Sequence, residues 1–244
     1  MSKINIDTAE NLAAQFRTNN GLSLSEPLNA KTLLRMLNII TLYRPLSDKL
    51  YGFSMKSADE KWRFMLINSN NTRGRQHFTI AHELYHLYYE NTPRPHISKD
   101  GFTAESEKSA NLFAGALLMP KSGILQAIPY EELAGGNVSL ATTVTMEALY
   151  QVSHSTILIR LKELKLITKE QYEKLFSVKI IQEAKMMGYD TDLYKNGNHG
   201  LILGDFGAKA KKLYDSGIIS EGHYLELLNK IGYGAGENDD SAGC

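Results

Sequence analysis

The sequence predicts an α+β protein in which a small antiparallel sheet is followed by helices. Three short apolar segments, rich in β-branched and aromatic residues, lie between residues 39 and 67, and such segments are typical of strands. The next two segments, 75–89 and 103–119, repeat apolar residues at helical spacing. Hydrophobic residues make up 43% of the 244 residues, which is enough for an extended core.

Two helices are predicted before the sheet. Residues 5–18 place their apolar side chains at helical spacing. A second helix is predicted at 29–37, because Asn29 is a residue type that caps helix N-termini. The strands are predicted at 39–43, 50–55 and 62–67, with a polar turn between the last two.

The predicted helix 75–89 contains a His-Glu-x-x-His run at residues 82–86. In a helix, His82 and His86 lie one turn apart on one face, where two imidazole nitrogens can bind one zinc ion. Glu83 then lies beside the metal, where a carboxylate can act as a general base toward water. This pairing of ligands and base is the chemistry of a metallopeptidase.

A catalytic zinc ion needs a third protein ligand, and the residues offer three candidates. We favour Glu107 on helix 103–119, since it shares a face with small residues and with Asn111 one turn later. An asparagine there can accept a hydrogen bond from a ligating imidazole and so orient it. Glu105 lies about 160° around the helix from the favoured glutamate, and His96 lies in a proline-rich loop; both stay open as alternatives.

The rest of the chain is predicted to be mostly helical. We expect a peptidase domain at 1–125, a helical region at 126–231 that recognises the substrate or reports a signal, and a flexible Gly-, Asp- and Ser-rich tail at 232–244. Helices in the second region are predicted at 140–150, 155–166, 207–216 and 220–230.

Composition excludes several classes of protein. Lys plus Arg and Asp plus Glu both number 27, so no overall basic field indicates nucleic-acid binding. The single cysteine, Cys244, excludes an intrachain disulfide and a cysteine-rich metal site. No apolar run is long enough to cross a bilayer, and we expect a soluble, cytoplasmic protein whose oligomeric state the sequence leaves open.

Three blocks of sequence resemble the signature of the ImmA/IrrE family of zinc metallopeptidases. They are residues 65–68, 75–86 and 107–120. The resemblance implies one zinc ion on His82, His86 and Glu107, with Glu83 as the general base. It also implies that the substrates are helix-turn-helix repressors of prophages, mobile elements or stress responses. Tyr85 stands where the family commonly has Gly, which puts access to the metal or helix packing in question.

Two other functions are compatible with the sequence. Residues 152–167 read like a turn followed by a DNA-recognition helix, in which Arg160, Lys162 and Lys165 would contact phosphates. The chain could alternatively be an interaction protein that keeps the fold without turnover. The donor that would stabilise an oxyanion is not identified by the sequence: His96, His154, His199 and the thirteen tyrosines are the candidates.

Overall fold

The computed structural model describes residues 4–90 and 104–231. Within these residues the chain forms twelve helices and four strands, which confirms the α+β class. The helices are α1 (Ile6–Asn19), α2 (Ala30–Met36), α3 (Arg73–Tyr89), α4 (Ala104–Leu118), α5 (Lys121–Ala127), α6 (Tyr130–Gly135), α7 (Leu140–Tyr150), α8 (His154–Glu163), α9 (Lys169–Phe176), α10 (Ile180–Met186), α11 (Phe206–Asp215) and α12 (Glu221–Lys230). The strands are β1 (Ile39–Arg44), β2 (Gly52–Lys56), β3 (Arg63–Asn68) and β4 (Ile202–Leu203).

The four strands form one mixed sheet in the order β2-β3-β1-β4. β2 pairs antiparallel with β3, and β4 pairs antiparallel with β1. The central pair, β1 and β3, is parallel, with Ile39 opposite Arg63 and Arg44 opposite Asn68. The sheet is therefore mixed, whereas the sequence pattern predicted an antiparallel one. β4 is a strand that the sequence pattern did not predict.

The loop between β1 and β2 explains the parallel pairing. Asn68, at the end of β3, donates from Nδ2 to the carbonyl oxygens of Ser47 and Leu50 at 3.0 and 2.7 Å. The loop is thereby held across the end of β3, so that β3 and not β2 lies beside β1. Met65 and Ile67 of β3 are fully buried, as a central strand requires.

Helix α3 packs against the sheet on one side and against α4 on the other, and α1 packs on α4. Aromatic rings fill the space between these three helices. The ring of Phe16 lies edge-on to Tyr88 at 5.3 Å and to Phe113 at 6.0 Å, and Tyr85 lies 5.7 Å from Phe113. This packing fixes α4 beside α3, which carries the His-Glu-x-x-His run.

Two buried arginines hold the C-terminal end of α4, where carbonyl groups have no helical partner. Arg17 donates from Nε and Nη2 to the carbonyl oxygen of Leu117 at 2.9 and 2.6 Å. Arg160 donates from Nε and Nη2 to the carbonyl oxygen of Met119, both at 3.0 Å, and also contacts Glu10. The end of α4 is thus fixed to both α1 and α8.

The eight helices predicted from apolar spacing are confirmed, with ends that differ by no more than three residues. Helices α5, α6, α9 and α10 were not predicted. The predicted proline-rich loop around His96 and the predicted tail at 232–244 lie outside the described residues. No helix in the described part of the chain is long and apolar enough to cross a membrane.

Candidate metal centre and active-site cleft

Helix α3 presents the His-Glu-x-x-His run. Thr72 caps its N-terminus, with the side chain accepting from the Arg75 amide, and the helix continues unbroken for 17 residues. One turn of helix separates His82 from His86, and their Nε2 atoms lie 3.1 Å apart. Both side chains are mostly buried, with 13% and 3% of their surface exposed. The two imidazoles therefore face the same point.

Glu107 of α4 reaches the same point from the opposite side. Its Oε2 lies 3.4 Å from His82 Nε2, and its Oε1 lies 3.7 Å from His86 Nε2. One candidate ligand atom from each of these three side chains lies within 4.8 Å of the other two. Two nitrogens and one carboxylate therefore converge in a set that could hold a metal ion.

Each imidazole is oriented through its other nitrogen. His82 Nδ1 lies 2.9 Å from Asn111 Oδ1, and His86 Nδ1 lies 2.9 Å from Glu90 Oε2. Ser106 donates to the second oxygen of Glu90. Amide and carboxylate oxygens accept hydrogen bonds, so both Nδ1 atoms must donate, and each neutral ring then has its lone pair on Nε2.

The lone pairs that converge at this point would be stabilised by a cation. Burial lowers the pKa of His82, but the hydrogen bond and charge of Glu107, the charge of Glu83 and the contact with Asn111 raise it more, so its pKa lies above the usual value. The site thus favours a positive charge on or beside His82. A divalent metal ion supplies that charge, and binding it requires this imidazole to be neutral.

Glu83 lies beside the three converging side chains on the face of α3 that meets the sheet. Ser54 of β2 donates to Glu83 Oε2 at 2.7 Å. Glu83 as a whole residue is 2% exposed, so this hydrogen bond fixes the orientation of its carboxylate in a largely dry environment. A carboxylate held in this way can accept a proton from a reactant bound next to it.

A cleft with a volume of about 490 Å³ opens in front of these residues. His82, Glu83 and Glu107 all lie in its wall. The remaining wall comes from the start of β2, from α3, from α4 and Met119 just after it, and from α8 along its whole length. It includes Tyr51, Gly52, Phe78, Asn111, Gly115, Ser155, Thr156, Ile159, Arg160 and Glu163. The cleft is thus large enough for a segment of chain rather than a metal ion alone.

The alternative third ligands are placed differently. Glu105 is exposed and is not part of the converging set. His96 lies outside the described residues. Tyr85, at the position where the resembled family has Gly, is 1% exposed and packs with Phe113 in the core. Its ring therefore fills space between α3 and α4 and does not line the cleft.

Of the three predicted DNA-contacting side chains, Arg160 is buried, whereas Lys162 and Lys165 are exposed. Arg160 is 1% exposed and its guanidinium is bonded to α4 and to Glu10, so it does not reach solvent as a phosphate contact requires. Lys162 lies over the Tyr172 ring at 5.0 Å. Lys165 follows the end of α8 and is exposed. Helix α8 also contributes to the wall of the cleft.

Two of the proposed oxyanion donors lie away from the cleft. His199 Nδ1 contacts Ser69 Oγ at 2.9 Å. His154 Nδ1 contacts Glu147 Oε1 at 2.6 Å and its Nε2 contacts the Leu175 carbonyl at 2.9 Å, so both ring nitrogens donate and the ring is an imidazolium. Burial lowers the pKa of His154, but the hydrogen bond and charge of Glu147 raise it above the usual value.

Glu90 and Ser54 are site residues that sequence reasoning missed. The spacing of Glu90 from His86, one helical turn, was a signal that could have identified it. Ser54 left no such signal, because its contact with Glu83 depends on how β2 packs on α3.

The sequence model of one protein family matches much of the chain. The family is described as the IrrE N-terminal-like domain, Peptidase M78, and the match covers residues 37–162, more than half of the 244 residues. The matched region begins just before β1 and ends within α8, so it includes the whole candidate metal centre. A comparison with curated proteins gave no match.

Proposed function

The chain belongs to the peptidase family of IrrE N-terminal-like domains, and from this membership we propose that it is a zinc-dependent endopeptidase. The observation that carries the proposal is the convergence of His82, His86 and Glu107 at one end of an open cleft. A metal centre with three protein ligands and an adjoining cleft is the arrangement of catalytic sites, whereas structural zinc sites are closed by four protein ligands.

The residues fit zinc better than other metals. Two imidazole nitrogens with one carboxylate oxygen form a mixed set that zinc accepts, whereas magnesium and calcium prefer oxygen ligands throughout. Asn111 and Glu90 are expected to hold the two imidazoles in the tautomer that leaves Nε2 for the metal. We therefore assign one zinc ion per chain to His82, His86 and Glu107.

The protein side chains around the metal have different roles in peptide hydrolysis. Zinc, when bound, polarises the scissile carbonyl and lowers the pKa of water beside it. Glu83 accepts the proton from that water and delivers it to the leaving amine. Ser54, through its hydrogen bond to Oε2, keeps the Glu83 carboxylate turned toward the cleft. Glu83 is thus the proposed catalytic base.

The cleft supports the proposal that the substrate is a segment of protein in extended form. β2 is one of the two edge strands of the sheet, and its first residue, Gly52, lies in the cleft wall. An edge strand has backbone groups with which an extended peptide can pair. The further proposal that the substrate is a helix-turn-helix repressor rests on the family resemblance and not on the cleft. The proposal that cleavage occurs in the cytoplasm rests on the apolar pattern of the sequence.

The proposal is tested by comparing the wild-type chain with Glu83→Gln. Both proteins, loaded with zinc, are incubated with the repressor encoded by the neighbouring gene, and cleavage is followed by mass spectrometry. We expect the wild type to cut one site and the variant to be slower by at least about a hundredfold. Glu105→Gln, which changes an exposed residue, is the matched control and should cleave normally.

Two results would count against the proposal. Equal cleavage by the wild type and Glu83→Gln would show that another group is the base. Repressor binding without cleavage by zinc-loaded wild type would favour the alternative of an interaction protein that keeps the fold without turnover.

A further inference from the structure

A second cavity, with a volume of about 450 Å³, lies on the other side of α3. Its walls come from the start of α2, from β1, from the first two turns of α3 and from the end of α7, and none of its lining residues lines the active-site cleft. The volume is within the range of about 300–1,000 Å³ that small-molecule sites occupy. The cavity therefore has the size to hold a ligand of its own.

Positive charge is in excess at this cavity. Lys31 and Arg73 line it. Burial lowers the pKa of Lys31, and the nearby charges of Arg73 and Arg35 lower it further. Lys31 Nζ donates to the uncharged Asn198 Oδ1 at 2.8 Å. Arg73 pairs with the carboxylate of Asp192 at 2.9 Å, and the described residues provide no carboxylate partner for Lys31. An anion would relieve this mutual repulsion.

The N-terminal end of α3 adds to the attraction for an anion. The helix begins at Arg73, and Gln76 and His77 in its next turn also line the cavity. The amide dipoles of a 17-residue helix place partial positive charge at this end. The helix dipole and the charges of Lys31 and Arg73 thus all favour binding of an anion in the cavity.

Two polar side chains, those of Tyr43 and His77, lie in the wall of the cavity. Tyr43 is 1% exposed, and burial raises the pKa of its hydroxyl. His77 Nδ1 lies 3.0 Å from the Gln151 carbonyl oxygen and must donate to it. Its Nε2 atom is buried and has no hydrogen-bond partner among the described residues. Such groups are costly unless something satisfies them.

We propose that this cavity binds a small phosphorylated molecule of nucleotide size, with Lys31 and Arg73 contacting the phosphate. Tyr43 and His77 supply a donor and an acceptor for polar groups on the rest of the ligand. Apolar side chains complete the wall, and Leu149, at the rim, is 43% exposed. The occupant would contact α3 from the face opposite His82. The proposal does not depend on the peptidase assignment.

The test is titration calorimetry on the full chain at constant ionic strength, with adenosine monophosphate, inorganic phosphate and adenosine as the probes. We expect adenosine monophosphate to bind, and adenosine to bind at least about tenfold more weakly because it lacks the charged contacts. Lys31→Gln should weaken the binding of adenosine monophosphate about tenfold or more. Tyr43→Phe, which keeps the buried ring, should weaken the binding of adenosine monophosphate about threefold.

Lys174→Gln is the matched control, since it removes one exposed lysine that does not line the cavity. Its affinity for adenosine monophosphate should equal that of the wild type. The proposal is overturned if neither phosphate-bearing probe binds, or if Lys31→Gln binds them as tightly as the control does. Because Lys31 is exposed and Tyr43→Phe preserves packing, both variants should fold, as circular dichroism would verify.

Discussion

Replacing Glu90 by Gln should weaken zinc binding without touching a metal ligand. The His86 Nδ1 to Glu90 Oε2 contact is 2.9 Å long, and Glu90 is 9% exposed, so the hydrogen bond is charged and shielded from water. Such bonds contribute about 1.5–3 kcal/mol, and 1.4 kcal/mol corresponds to about a factor of ten in affinity. A glutamine oxygen can still accept a hydrogen bond from the ring. We therefore expect the lower end of this energy range, which is about tenfold weaker zinc binding.

The assay is a competition titration in which the metal-free protein removes zinc from a chromophoric chelator. Glu105→Gln is the control, because it changes the charge of an exposed residue near the start of α4. The reasoning would be refuted if Glu90→Gln bound zinc within about twofold of the wild type. It would also be refuted if the control lost as much affinity, since a general charge effect would then explain both.

Three further outcomes follow from the same contacts. Ser54→Ala should lower kcat about tenfold by releasing the base, while zinc affinity measured by chelator competition stays the same; unchanged kcat would contradict the contact. The raised pKa of His154 means that its stabilising pair with Glu147 is complete below about pH 6.5 and is lost as the pH rises through the folded-state pKa. Glu147→Gln should therefore lower the free energy of unfolding in urea by about 3 kcal/mol at pH 6 and by less at pH 9, and an equal loss at both pH values would be inconsistent with that pair. Gly52→Ala should cost about 1–3 kcal/mol in the same assay, because its Cβ would lie 2.7 Å from the Leu66 carbonyl oxygen. Gly222→Ala, with open space around it, is the control, and an equal effect of the two would speak against the clash.

Much of the candidate centre could be predicted because helical periodicity is a local rule. The spacing of His82 and His86 places them on one face whatever surrounds the helix. Glu107 and Asn111 follow the same rule on α4, and the structure places both next to the imidazoles. What the rule leaves open is which face of α4 meets α3, and that is decided by the packing of aromatic rings between the two helices.

The features that sequence reasoning missed depend on contacts between distant segments. The parallel pairing of β1 with β3 follows from the hydrogen bonds of Asn68 to the β1–β2 loop, and no strand pattern encodes them. Arg160 is similar, because its spacing suits an exposed basic face. Its guanidinium instead satisfies the Met119 carbonyl oxygen at the end of α4. The division of the chain at residue 125 stays a prediction.

The zinc content of the purified chain tests the central claim most directly. The wild type, Glu83→Gln and His82→Ala are dialysed against the same zinc buffer and measured by mass spectrometry with protein concentration from amino-acid analysis. We predict one zinc ion per chain in the wild type and in Glu83→Gln, because Glu83 is not a ligand, and a large loss in His82→Ala. Equal zinc in all three proteins, or none in the wild type, would contradict the proposed metal centre.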